Sequence, residues 1–106
     1  MILHTVLMRV PDSQRHAVMA VIGRIGAIQI AGFWGLDGGL NESPEPRDLG
    51  FNLGFVARFD DWAALARYQD HPQHQTQGRQ LLAALINPDT DLLVFDLDTG
   101  DDQAKP

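Results

Sequence analysis

The 106-residue sequence has no cysteine and a single lysine, Lys105. Without cysteine there is no disulfide, no thiolate nucleophile and no cysteine-based metal site. The absence also fits a reducing compartment. Positive charge is scarce altogether: 8 Lys and Arg stand against 14 Asp and Glu, for a net charge of −6 and a pI near 4.8. An acidic surface repels phosphate backbones, so no nucleic-acid partner is expected. No apolar run approaches the roughly 20 residues that span a bilayer, so no membrane partner is expected either. The apolar start "MILHTVLMRV" has no basic region before it and does not look like a signal peptide, so a cytoplasmic location is expected. There is no internal repeat, no linker and no Gly-rich phosphate loop between a strand and a helix.

What is present is enough apolar residue, 44%, for one domain with a single small core. "ILHTVLMRV" (2–10) reads as a strand, with Ile2, His4, Val6 and Met8 on one face and Leu3, Thr5 and Leu7 on the other. Asp12 or Ser13 is placed to cap a helix carrying Val18, Val21, Ile22 and Ile25 on one stripe, which Gly26 can end in a left-handed conformation. "AIQIAGFWGL" (27–36) reads as a second strand, its glycines marking a bulge or a close backbone approach. "DGGLNESPEPRDLG" (37–50) reads as the longest loop, mobile and set at the mouth of a pocket or the rim of a dimer. "FNLGFVARF" (51–59) is a third strand. Asp60 or Asp61 caps a helix that breaks near Asp70, and a further helix runs from Pro72 to about Leu85. "INPDTD" is a turn and "LLVFDLD" (92–98) the last strand. Residues 1–98 form the domain, and 99–106 a polar tail expected to fray.

The order β-α-β-β-α-(α)-β is that of a ferredoxin-like α+β protomer, an antiparallel sheet with helices on one side. Its strands are apolar on both faces. One face packs on the helices, and a second copy of the sheet would cover the other, giving a homodimer.

Two of the four histidines and the one tyrosine fall in "RYQDHPQHQ" (67–75). The plain reading is a junction between two helices, with His71 as a cap before Pro72. His16 reads as a solvated helix residue. A zinc site from His4, His71 and His74 has only a weak H-x-x-H signal and no clearly placed carboxylate, so no metal is expected.

"ILHTVLMRV", "ESPEPRDLGFNLGFVARFDDWAALARY", the Y-x-x-H-P-x-H segment (68–74) and "LLVFDLD" together resemble the stress-responsive A/B barrel (Dabb) family of dimeric α+β barrel proteins. The resemblance implies a protomer that pairs its sheet face to face with its twin, and a pocket between sheet and helices. In the polyketide-cyclase members a strand-1 histidine, the tyrosine and the last histidine of that segment form a cofactor-free acid–base site. The matching positions are His4, Tyr68 and His74. Two positions depart: Leu53 stands where the cyclase pocket has another histidine, and Gln77 where it has a phenylalanine.

Val6, Leu53, Phe55, Leu92 and Val94 are expected to wall the cavity and bind a small, largely apolar ligand. Within it a histidine could be a base near neutral pH, and Tyr68 could donate to a developing enolate or alkoxide. The alternative is a non-catalytic stress-response or ligand-binding homodimer. A monooxygenase-like activity is a third reading, since related dimeric barrels act on aromatic substrates.

Overall fold

Alternation in the first strand decides the architecture. In the computed structural model, which describes residues 1–100, β1 (Ile2–Met8) buries Ile2, His4, Val6 and Met8 on one face, while Leu3 and Leu7 remain partly open on the other. β1 is an inner strand of a four-stranded sheet ordered β2-β3-β1-β4, with β2 at Phe33–Leu40, β3 at Leu53–Phe59 and β4 at Leu92–Asp98. Every neighbouring pair is antiparallel. α1 (Arg15–Gly26) joins β1 to β2, while α2 (Trp62–Asp70), α3 (Pro72–Ala83) and the single turn α4 (Pro88–Asp91) lie between β3 and β4. This is the ferredoxin-like α+β protomer that the element order implied.

The core forms where the period-2 stripe of the strands meets the period-3.6 stripe of the helices. Leu53, Phe55, Ala57 and Phe59 of β3 continue the buried face of β1. Val18, Val21, Ile22 and Ile25 of α1 and Ala64, Leu65 and Tyr68 of α2 close over it. Each fully buried aliphatic side chain contributes roughly 1.5–3 kcal/mol relative to exposure. On the reverse face Leu93, Phe95 and Leu97 of β4 stay exposed, Phe95 at 41% and Leu97 at 49%.

Three local expectations are corrected. β2 starts at Phe33, not Ala27, and runs through Leu40 into the segment read as loop. Residues 27–32 instead make a tight connection, held where Arg67 donates twice to the Ala31 carbonyl at 2.8 and 3.3 Å. Gly32 sits there at φ 84, and a Cβ on it would stand 2.7 Å from that of Ala64. Gly38 looked like a loop residue but is a strand glycine, because α1 packs so closely that a Cβ would lie 3.0 Å from Ile22. The expected bulge is present, as a register shift between Phe33 and Leu36. Secondly, Asp12–Gln14 form a separate 3-10 turn, so α1 starts from Gln14 with no side-chain cap. It ends through Ala27 in a right-handed conformation, not through a left-handed Gly26. Thirdly, residues 86–91 hold a short helix, α4, whose first turn Asn87 caps by accepting from the Asp89 N–H at 3.2 Å.

The remaining loop, 41–52, lies on the reverse side of the sheet and not at the helix-side cavity. Asn52 anchors it by pairing its side-chain amide with both backbone groups of Val10 at 2.9 Å, which ends the β1–β3 ladder. Arg9, just past β1, clasps it, donating to Leu49 O at 2.9 Å with its guanidinium 4.2 Å from the Phe51 ring centre, and also reaches Thr90 O of α4 at 2.6 Å. Thr99 and the chain's first residue are joined by a backbone bond of 3.1 Å, and the rest of the expected tail, 101–106, lies outside the described residues.

Asp61 caps α2 by accepting from the Ala64 N–H at 2.9 Å, while Asp12 only meets Arg15 at the exposed surface. Asp61→Ala is therefore expected to destabilise the fold by about 1 kcal/mol, and Asp12→Ala to stay within about 0.5 kcal/mol, in denaturant titrations. Equal losses would place the α1 cap back at Asp12.

Candidate functional site

The antiparallel register of β1 and β4 sets His4 directly opposite Asp96. Their side chains meet at 2.6 Å between Nδ1 and a carboxylate oxygen. A carboxylate only accepts, so Nδ1 carries the proton. In the neutral ring Nε2 is then the acceptor, and the imidazole is held in one tautomer and one orientation. Asp96 is the one hydrogen-bond partner of the His4 side chain among the described residues. Beside His4 across the β1–β3 ladder is Ala57, fully buried in the core.

Tyr68 reaches the same place from α2. It is fully buried, with ring centres of Phe59, Phe33 and His4 at 4.9, 5.4 and 5.7 Å. His74 comes from the first turn of α3, its ring centre 4.0 Å from that of Tyr68. The chain delivers both by breaking between them. His71 is extended, at φ −69 and ψ 130, and its Nδ1 accepts from the Gln73 N–H at 3.1 Å. Pro72 then opens α3, as its missing N–H and fixed φ favour. The capping role expected of His71 is the one it plays, and His16 is exposed on α1.

The Tyr68 hydroxyl and His74 Nδ1 are both buried, and neither has a hydrogen-bond partner. Buried polar atoms are nearly always paired, and here two unpaired ones stand on adjacent rings. Burial pushes the Tyr68 phenol well above its ordinary value, so it stays a donor at neutral pH. Burial lowers the His74 value below that of an ordinary imidazole; the Gln69 backbone opposes this, and His4 and His71 reinforce it. His74 is thus neutral at pH 7.

These groups line a cavity of about 260 Å³ between sheet and helices. Of the expected walls, Val6, Phe55, Leu92 and Val94 line it; Leu53 does not, being buried farther along the sheet opposite Met8. Four lining positions, Ile25, Gln69, Leu81 and Leu82, and also Gly78, were not foreseen. Asp96, which pairs with His4, was not foreseen either, although the alternation of "LLVFDLD" puts it on the face of Leu92 and Val94. A larger hollow of about 710 Å³ lies on the opposite face, between the sheet and loop 41–52, and contains none of His4, Tyr68 and His74. Among the described residues no group of three or more metal-ligating side chains is assembled, and no helix is long and apolar enough to cross a membrane.

With this geometry in place, the chain matches the model of the stress responsive A/B barrel domain over residues 2–99. No curated relative matches it. Among solved structures it is similar to a dimeric ferredoxin-like protein of unknown function from Jannaschia sp. CCS1, at 27% identity and a TM-score of 0.79, covering 92% of this chain and 98% of that one. A protein from Arabidopsis thaliana matches at 21% identity and a TM-score of 0.79, over 95% of this chain and 97% of its own. A hydroxynitrile lyase from Passiflora edulis matches at 17% identity and a TM-score of 0.75, over 94% and 95% respectively. The last two likenesses are of fold alone.

Because the His74 value is lowered in the folded chain, the unfolded chain binds more protons just below pH 6.5. Stability from this group is therefore complete above about pH 6.5 and is lost as pH falls through the lower folded value. His74→Gln is expected to lose less stability than the wild type between pH 7 and pH 5 in urea titrations. Parallel curves for the two would contradict a buried, neutral His74.

Proposed function

The chain belongs to the stress responsive A/B barrel domain family, and from that premise we propose that it binds a small, largely apolar carbonyl compound between Tyr68 and His74 and moves a proton on it. The observation that carries this is the pair of buried, unpartnered atoms, Tyr68 Oη and His74 Nδ1, on adjacent rings of two residues that line one apolar cavity. A carbonyl oxygen accepts from the Tyr68 hydroxyl. His74 Nδ1 takes a proton from the carbon next to that carbonyl, and the electron pair moves onto the oxygen as an enolate. The phenol stabilises the developing charge because it remains protonated. The imidazolium then returns its proton when the new bond forms or when the ligand reprotonates. His4, oriented by Asp96, is the third polar contact. These steps use side chains alone and call for no cofactor.

The same reading includes a homodimer. The reverse face of the sheet exposes Leu93, Phe95 and Leu97, and Leu49 projects from the flanking loop at 77% exposure and φ 54. A contiguous apolar face of this kind is rarely left to water. The Jannaschia neighbour is described as dimeric. A second copy of the sheet laid on this face would close an eight-stranded barrel. It would leave the cavity on the outer, helix side of each protomer.

Proton transfer is tested by following loss of the methyl signal of acetophenone in deuterium oxide by NMR. The wild type is expected to accelerate exchange, and His74→Ala to lose about 10²–10⁴ of that acceleration with its fold intact. Binding without exchange would favour the non-catalytic ligand-binding reading. For assembly, sedimentation at low micromolar concentration is expected to give about twice 11.7 kDa; a stable monomer would remove the barrel.

A further inference from the structure

The face of α3 that meets the cavity carries His74, Gly78, Leu81 and Leu82, the spacing of one helical face. All four line the cavity. Three have large side chains and the fourth has none. Glycine within a helix is less stable than alanine, so its place in the middle of α3 needs a cause. At two strand glycines the cause is crowding, whereas Gly23 of α1 is free of neighbours because it faces outward, exposed, and lines no cavity. A Cβ at Gly54 would stand 2.6 Å from the Val6 carbonyl oxygen, and one at Gly38 would stand 3.0 Å from Ile22. At Gly78 a Cβ would meet no atom within 4 Å. No neighbour fills the space and no backbone approach requires it. It belongs to the cavity, one helical turn beyond the His74 ring.

We propose that Gly78 is the specificity-determining residue of this pocket, holding open the compartment that receives the apolar body of the ligand while its polar end lies between Tyr68 and His74. The inference rests on the ligand-binding reading above and adds the shape and charge of what binds. The cavity is lined by no arginine or lysine, and it leaves a carboxylate or phosphate uncompensated. The ligand is therefore neutral. A dry cavity of roughly 150 Å³ already accepts benzene. The volume here, about 260 Å³, takes a ring and a short apolar extension. That extension passes over Gly78 toward Leu81 and Leu82 in the next turn. Any side chain at position 78 shortens it.

The test is an NMR titration of the full chain with acetophenone and with 4-propylacetophenone, read at the amides of β1 and α3 and paired with thermal melts. Three added methylenes should make the propyl compound bind the wild type at least about tenfold more tightly. Gly78→Leu is expected to keep the acetophenone affinity within about threefold and to lose about tenfold or more for the propyl compound. Gly78→Ala, for which there is room, is expected to melt about 2–6 °C higher and to reduce the propyl preference. If both variants keep the wild-type preference, the role of Gly78 is overturned and the pocket reading stands. If the wild type binds neither compound at these amides, the pocket reading itself falls, and this inference with it.

Discussion

Tyr68 is where the helical layer and the sheet are fastened together. Its ring meets Phe33 of β2, Phe59 of β3, His4 of β1 and His74 of α3, so one side chain of α2 touches four other elements. Aromatic contacts of this kind add about 0.5–1.5 kcal/mol each beyond burial. Yet the hydroxyl at the end of that ring has no partner. An unsatisfied buried hydroxyl costs about 1–3 kcal/mol, and phenylalanine would keep the ring contacts without it. The same residue thus fastens the fold and keeps a polar group inside it.

The sheet separates two tasks by the parity of its residues. Even-numbered positions of β1 and β4 supply His4, Val6, Val94 and Asp96 to the helix side; odd-numbered ones supply Leu3, Leu7, Phe95 and Leu97 to the reverse side. A one-residue slip of β4 would move Asp96 away from His4 and bring Phe95 into its place, losing the tautomer lock and the apolar reverse face together. One register serves both the cavity and the surface available to a second copy. The edge position of β4 opens the cavity: the helices cover the inner strands, while Val94 stays 48% exposed at the cavity's open side.

Much of this was legible in the sequence because it follows from period. Alternation marks β1, β3 and β4, and the i, i+3, i+4 stripe marks α1. Pro72 after an extended His71 marks the break between α2 and α3. What could not be read depended on neighbours distant in sequence. Gly38 signals a loop in isolation and becomes a strand residue only because Ile22 crowds it. Asp12 is a good cap by type, yet the chain folds a 3-10 turn there and starts α1 three residues later. Asp96 acquires its role from a cross-strand pairing 92 residues away. Leu53 had the right face but lies too far along it. The family resemblance brought out Tyr68 and His74 through a local motif and His4 through the first strand; their shared cavity required the register of β1 against both neighbours.

The break at residues 70–72 also sets the phase of everything beyond it. A helix has no freedom to choose which residues face the core once its first residue and entry direction are fixed. His71 and Pro72 fix both, one by capping the Gln73 N–H and the other by its rigid φ. His74 is then two residues past Pro72, next to Tyr68, and Gly78, Leu81 and Leu82 follow on the same side by helical repeat alone. If α2 ran unbroken into α3, each position from 74 onward would follow the direction of α2 and could not turn back along the sheet. The junction thus carries part of the site: the turn between α2 and α3 is also what sets the His74 imidazole against the buried Tyr68 phenol.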